Sequence, residues 1–311
     1  MKIVALAGGV GGAKLAQGLS VVLPEDDLTV IVNTGDDFTF YGLYICPDLD
    51  TVTYTLAGMA NPVTGWGIRD DSYRVFEKLK TNGSPDWFTL GDQDLATHLE
   101  RTRLLHAGRS LTEVALHFRD IWKIKHPILP MCDQPVPTMV ETSDKGMLSF
   151  QEYFVKYHFE PIVEKIVFQD IDKARPHKRV LQAIDQADAV VICPSNPLVS
   201  IAPILSVPGI REGMASKYML AVSPIVGGKA IKGPLAKIYN EMGIEPNPVN
   251  VAMQYSELLD CIFLDNQDMS YGKEIEQSGI IFQATDIMMP DLPNRIRLAE
   301  DILEFLRKEI I

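Results

Sequence analysis

The chain has 311 residues, 46% of them hydrophobic, and a formal net charge of −12. That apolar content supplies a substantial core, and the acidic balance excludes a general nucleic-acid-binding surface, which needs clustered Lys and Arg. The cysteines Cys46, Cys132, Cys193 and Cys261 form no Cys-x-x-Cys pair, so neither a zinc site nor a disulfide framework is indicated. One lysine and a short apolar run at the N-terminus fall short of a signal peptide, and no stretch approaches the length of a membrane span, so a cytoplasmic setting is expected.

Apolar runs at residues 3–7 and 28–32 predict strands, with a helix over 13–22 between them, which makes a first βαβ unit. Helical periodicity recurs at 51–57, 72–79, 95–105 and 111–122, the last with Ser110 as N-cap and Glu113 three residues on. Residues 87–90 read as a possible strand, followed by Asp92 as a candidate N-cap. Pro135, Pro137, Gly146 and Pro161 punctuate short runs such as 138–140 and 166–168, so residues 135–174 read as an inserted β-rich subdomain. A helix is expected over 178–187 and an unbroken apolar strand, buried on both faces, over 188–193. Further strands follow at 218–222 and 261–264, and a closing amphipathic helix at 295–308. The expected fold is α/β, with a Rossmann-like parallel-sheet core built from residues 1–134 and 175–311.

Candidate chemistry sits at the carboxyl ends of these strands, where open α/β sheets bind ligands. Gly8-Gly9-Val10-Gly11-Gly12 follows the first strand, and glycines there let the backbone approach a phosphate at a helix N-terminus. The loop is not a P-loop, because Ala13-Lys14-Leu15 stands where Gly-Lys-Ser/Thr would be. The dinucleotide fingerprint also fails, since its third glycine would fall on Lys14, so a nicotinamide cofactor is not expected. Asn33-Thr34-Gly35-Asp36-Asp37 follows the second strand. Adjacent carboxylates opposite a phosphate loop would repel a diphosphate unless a metal bridged them, which points to Mg²⁺. Pro47-Asp48-Leu49-Asp50-Thr51 adds two acids that an extended loop would point the same way, with Asp50 an alternative cap for the helix at Thr51. Together the four acids suffice for a hard-cation site, although turn and capping roles explain such residues too.

Ser195 and Asn196, after the strand at 188–193, can offer donors at the start of a helix. A second glycine-containing loop, Ser223 to Pro234 with Gly227, Lys229 and Lys232, suits an anion. His98 lies at helical spacing from Asp94 and could be a base steered by that carboxylate, or simply a packed histidine. Phe38, Phe40, Tyr41, Tyr44, Trp66, Trp87 and Phe88 lie near the acidic segments and could form either a slot for a flat heterocycle or part of the core.

Taken in order, Gly8 to Leu15, Asn33 to Phe38, Pro47 to Val52, Gly65-Trp66-Gly67-Ile68, Leu90-Gly91-Asp92 through Ala96-Thr97-His98, Leu129-Pro130-Met131, Phe150-Gln151-Glu152-Tyr153, Ser195-Asn196-Pro197 and Ser223 to Gly227 resemble the motif series of the 2-phospho-L-lactate transferase family. The resemblance implies Mg²⁺-dependent transfer of a phospho-acid, 2-phospho-L-lactate or phosphoenolpyruvate, from a guanosine-diphosphate-linked donor to the ribityl hydroxyl of the deazaflavin Fo. GMP leaves, in the synthesis of coenzyme F-420. It further implies that Gly9, Gly11, Gly12, Lys14, Ser195, Asn196 and Gly227 hold the donor, and that Asp50, Thr89 and Asp92 face Fo. Asp50 would then orient or deprotonate the hydroxyl, with Asp36, Asp37 and Asp48 at the metal. The resemblance also implies a homodimer. Gln93 departs from the family, where Arg is frequent. The alternative is a nucleotide-sugar-binding regulatory protein of the same superfamily, against which the Asp48/Asp50 pair argues.

Overall fold

The computed structural model describes residues 1–231 and 233–310; Lys232 of the second glycine loop lies outside them. Seven parallel strands form the central sheet in the spatial order Ile281–Thr285, Cys261–Asp265, Tyr218–Val222, Ala189–Ile192, Ile3–Ala7, Leu28–Val32, Ile128–Pro130. Both faces are covered, which is why the inner strands read as unbroken apolar runs. The period-2 alternation sends Val4, Leu6, Val190 and Ile192 to one core and Ile3, Ala5, Ala7, Ala189 and Val191 to the other.

The chain leaves Ile3–Ala7 toward one side of the sheet and returns to its other side at Ala189–Ile192. The strand order therefore reverses between these two, and the crevice at their carboxyl ends is where such a sheet takes a ligand. The glycine loop and Pro194-Ser195-Asn196 are the two segments that open there. The helix Gly9–Val22 packs on Pro47–Leu56 and on the closing helix Leu292–Ile310. Gly18 permits the second approach, since a Cβ there would lie 2.1 Å from the Arg295 carbonyl oxygen.

The β-rich segment forms an antiparallel sheet of Gly146–Ser149, Thr138–Thr142 and Val163–Phe168. Its apolar face, with Val140, Leu148, Phe150 and Tyr153, packs on Val199 and Ile238 of the main body. The helix Leu111–Ile121 carries the expected capping box at Ser110 and Glu113.

Several local expectations are corrected. The helix expected from residue 13 begins at Gly9, so the glycine loop is itself the first helical turn. The helix expected from residue 51 begins at Pro47, with Cys46 as N-cap. Asp50 is thus not a cap, and Asp48 and Asp50 do not share a side as they would in an extended loop. Two residues apart on a helix, they diverge. Asp92 is likewise the first helical residue, after Gly91 as N-cap. Residues 87–90 form no strand; the Trp87 and Phe88 rings instead pack edge-on against Phe40 and Phe38. Two strands of the central sheet carry no usable signal. Ile128–Pro130 is too short for a period, and Ile281–Thr285 is a half-exposed edge.

Candidate active site

One cavity of about 760 Å³ opens at the switch point, within the size range of small-molecule sites. Its floor is the start of the helix Gly9–Val22. Gly9 takes a left-handed φ of 61°, and a Cβ on Gly11 would lie 2.2 Å from the Pro194 carbonyl oxygen. The sequence has glycine at Gly11 because another strand-end loop lies directly against it. Ser195 locks the two loops together: its Oγ donates to the Gly8 carbonyl (2.8 Å) and accepts from the Gly8 N–H (3.1 Å).

Asp36 and Asp48 meet at this floor. The Asn33 Nδ2 donates to Asp48 Oδ2 at 2.9 Å and to Asp36 Oδ1 at 3.3 Å, while the Gly9 N–H also serves Asp48. Both carboxylates are buried. Burial, then the charge of Asp48, pushes Asp36 well above the usual carboxylate range, and burial pushes Asp48 up to about 6 against the pull of Asn33 and Gly9. Two buried acids sharing one amide donor beside a helix N-terminus are short of positive charge. A hard divalent cation fits that donor set, because oxygen ligands and two negative charges are what Mg²⁺ takes.

Asp50 points to a different corner. Its Oδ1 accepts a short hydrogen bond from Arg101 Nη2, and His98 Nδ1 stands 3.7 Å from its Oδ2. Arg101 Nη1 also reaches the Tyr44 carbonyl oxygen (3.2 Å) and His98 Nδ1 (3.0 Å). His98 Nε2 faces Asp94 Oδ1 at 3.3 Å, and Asp94 accepts from the Tyr54 hydroxyl at 2.7 Å. Burial raises the Asp50 carboxyl, opposed by Arg101 and His98. Because Arg101 can only donate, the hydrogen bond assigns His98 Nδ1 as acceptor and places the ring proton on Nε2, toward Asp94. His98 is then an orienting group rather than a free base.

Of the residues singled out in the sequence, Gly9, Gly11, Lys14, Asp36, Asp48, Asp50, Thr89, Ser195 and Asn196 line this cavity; Gly12, Asp37, Asp92 and Gly227 do not. Gly12 lies beneath the loop, where a Cβ would meet Ser195 Oγ at 2.5 Å. Asp37 is buried behind Asp36, beside the Cys46 thiol and Tyr44 hydroxyl, and burial raises it. The Asp92 carboxylate is occupied by the Ser72 hydroxyl and the N–H groups of Arg74 and Val75, so it ties down a neighbouring helix start. The Gly227 N–H donates to both oxygens of Asp268 at the turn of the hairpin Ile225–Val226/Lys229–Ala230. That loop reaches the cavity through Pro224, Ile231 and Gly233 instead. Asn196 Oδ1 caps Leu198 N–H, leaving its buried Nδ2 unpartnered.

An aromatic extension completes the cavity. Trp66, Trp87 and Phe88 line it from one side of the chain fold, and Phe150 and Phe154 from the β-rich segment. Glu152–Lys156 and Pro197–Ile201 are π-helical turns, and each lends residues to the wall; such turns concentrate at functional sites. The sequence reading missed Arg101, although a signal was present: it lies at positions i+3 and i+7 from His98 and Asp94, on one helical face. The apolar wall at 287–290 left no motif to find. Among the described residues, no helix is long and apolar enough to cross a membrane.

A family model described as 2-phospho-L-lactate transferase CofD matches residues 3–294. The chain is 42% identical to a phosphoenolpyruvate transferase of Streptomyces griseus, covering 98% of each chain. It is 38% identical to a 2-phospho-L-lactate transferase of Methanosarcina acetivorans, covering 97% of this chain and 98% of that one. A solved structure of a UPF0052 family member from Bacillus halodurans aligns with a TM-score of 0.62 at 16% identity, over 97% of this chain and 98% of that one, a likeness of fold.

Proposed function

The chain belongs to the 2-phospho-L-lactate transferase CofD family, and from that premise we propose that it joins a phospho-acid to the deazaflavin Fo in coenzyme F-420 synthesis. The donor is a guanosine-diphosphate-linked lactate or enolpyruvate. The terminal ribityl oxygen of Fo forms a bond to the phosphorus bearing the acid, the bond from that phosphorus to the GMP oxygen breaks so that GMP leaves with the electron pair, and the hydroxyl proton passes to the Asp50 carboxylate and from there to water.

The observation that carries this reading is the facing of Asp36 and Asp48 with the Gly9 helix start inside one cavity. Backbone N–H groups and the helix dipole there favour phosphate, whereas the two carboxylates repel it. Asp36 and Asp48 would hold Mg²⁺, which when bound neutralises charge on the diphosphate. Gly9, Gly11 and Lys14 cradle the donor, and the Asn196 amide supplies a further donor group. Asp50 receives the Fo hydroxyl and orients it in line with the phosphorus, where positioning and charge stabilisation supply most of the catalysis in phosphoryl transfer. The aromatic wall takes the flat deazaflavin.

The test is a mass-spectrometric assay with purified protein, Fo, Mg²⁺ and the lactyl, enolpyruvyl and glyceryl donors in turn. Appearance of GMP together with the deazaflavin phosphodiester supports the proposal and identifies the acid. Absence of product with every donor, together with absence of Fo binding, overturns it in favour of a nucleotide-sugar-binding protein.

A further inference from the structure

Arg101 is 1% exposed, and its guanidinium contacts no part of the glycine loop or the Asp36/Asp48 pair. It holds Asp50 Oδ1 through Nη2, while Nη1 is anchored by the Tyr44 carbonyl and His98 Nδ1. The other Asp50 oxygen, Oδ2, is buried with no hydrogen-bond partner, although Asp50 lines the cavity. A buried carboxylate oxygen without a donor is costly unless a ligand supplies one. Asp50, Asp94 and His98 also bring ligand-type atoms within 4.8 Å of one another. A cation is the wrong occupant for that corner, because the Arg101 guanidinium already places a positive charge on Asp50.

We infer that Arg101 is a positioning residue for the transfer reaction: it clamps Asp50 Oδ1 so that Oδ2 alone is presented to a hydroxyl-donating acceptor substrate. This rests on the reading of Asp50 given above. Arg101 meets the carboxylate through Nη2 alone, while Nη1, held by the Tyr44 carbonyl and His98 Nδ1, fixes the guanidinium plane from which that hydrogen bond is aimed, a fixed geometry that an ammonium lacks. The clamp is itself backed, since His98 Nε2 faces Asp94 Oδ1 at 3.3 Å and Asp94 accepts from the Tyr54 hydroxyl. Arg101 thus acts on the acceptor through Asp50 and on the donor not at all.

The experiment is a double-mutant cycle in the full chain, with Asp50→Asn, Arg101→Met and the pair, following GMP release with Fo and the productive donor. Misplacing a reacting group by about 1 Å costs on the order of 100-fold, and that is the loss expected in kcat for Arg101→Met, with KM for the donor unchanged. In the Asp50→Asn background Arg101→Met should cause no further loss, because a residue acting through another has nothing left to position. An equal loss in both backgrounds, or full kcat in Arg101→Met while Asp50→Asn is impaired, overturns this inference and leaves the Asp50 reading standing. Full kcat in Asp50→Asn overturns both. Should Arg101→Met not fold, Arg101→Lys keeps the buried charge and carries the same cycle, with the same non-additivity expected.

Discussion

The Asn33 side-chain amide donates from a single nitrogen to Asp48 Oδ2 and, three residues along its own loop, to Asp36 Oδ1, at 2.9 and 3.3 Å. It joins the carboxyl end of the second strand to the first turn of the next helix and sets the spacing of two acids that would otherwise repel. Its Oδ1 accepts from the Gly35 N–H at 2.8 Å, which fixes the amide's orientation. Asn33→Leu keeps the volume and removes the donor. Residues that orient ligating carboxylates typically contribute about 10- to 100-fold in metal affinity, and that weakening of Mg²⁺ binding is expected by calorimetric titration. Unchanged affinity would mean that Asp36 and Asp48 do not bind the ion together.

Chelation tests the same site from the other side. Activity should fall to background in excess chelator and return with added Mg²⁺, while Asp48→Asn should demand a higher Mg²⁺ concentration for half-maximal GMP release. Turnover indifferent to both treatments would remove the metal from the proposed reaction.

Gly11→Ala is expected to damage the donor site at its base. The added Cβ would meet a backbone oxygen, that of Pro194, at 2.2 Å, and backbone cannot rotate aside as a side chain can. Overpacking of this kind costs about 1–3 kcal/mol, so a lowered Tm should accompany a raised KM for the donor. Gly42→Ala is not a matched control, because φ there is 75° and a side chain is strained even in open space.

Asp92 separates the inherited expectation from the geometry. Its carboxylate is held by the Ser72 hydroxyl and the N–H groups of Val75 and Arg74, and these hydrogen bonds lower its pKa. A depressed carboxyl contributes stability above its unfolded pKa and loses it as pH falls through the folded value, so the contribution should disappear on acidification below about pH 4. Asp92→Asn should therefore lower Tm at neutral pH, converge with the unmodified chain in acid, and leave KM for Fo unchanged. A large rise in that KM would return Asp92 to the acceptor site.

Much of the scaffold was legible because the signals were local. The inner strands announce themselves as apolar runs, and Ser110 with Glu113 fixes a helix start within four residues. The site was legible only as far as loop position goes. That Gly9 and Asp36 share a cavity follows from their places at strand ends, and Asp48 and Asp50 are drawn to it only by nearness in sequence; the divergence of Asp48 from Asp50 depends on a helix beginning at Pro47, where the acids themselves resemble a turn. Arg101 could not be paired with Asp50 from spacing, since the contact spans 51 residues. Ser195, Asp92 and Gly227 sit at strand ends or helix starts like ligand-binding residues, yet their polar groups are engaged by Gly8, the Arg74 turn and Asp268.

Trp66 offers the sharpest probe of the aromatic wall. It is 48% exposed although it lines the cavity, and it lies between Gly65 and Gly67, both at positive φ, so its indole is not part of the folded core. Phe40, by contrast, is buried among Tyr41, Trp87 and Phe88, and Phe40→Ala should cost about 3–5 kcal/mol of stability. Trp66→Ala should leave Tm unchanged. Stacking of a flat ring on an aromatic side chain contributes about 1–3 kcal/mol, so its loss should raise KM for Fo roughly tenfold while kcat at saturating Fo persists, because Asp50 and the donor floor are untouched. If KM stays constant, the deazaflavin rests against Phe150 and Phe154 on the opposite wall, and Phe154→Ala becomes the variant that raises it.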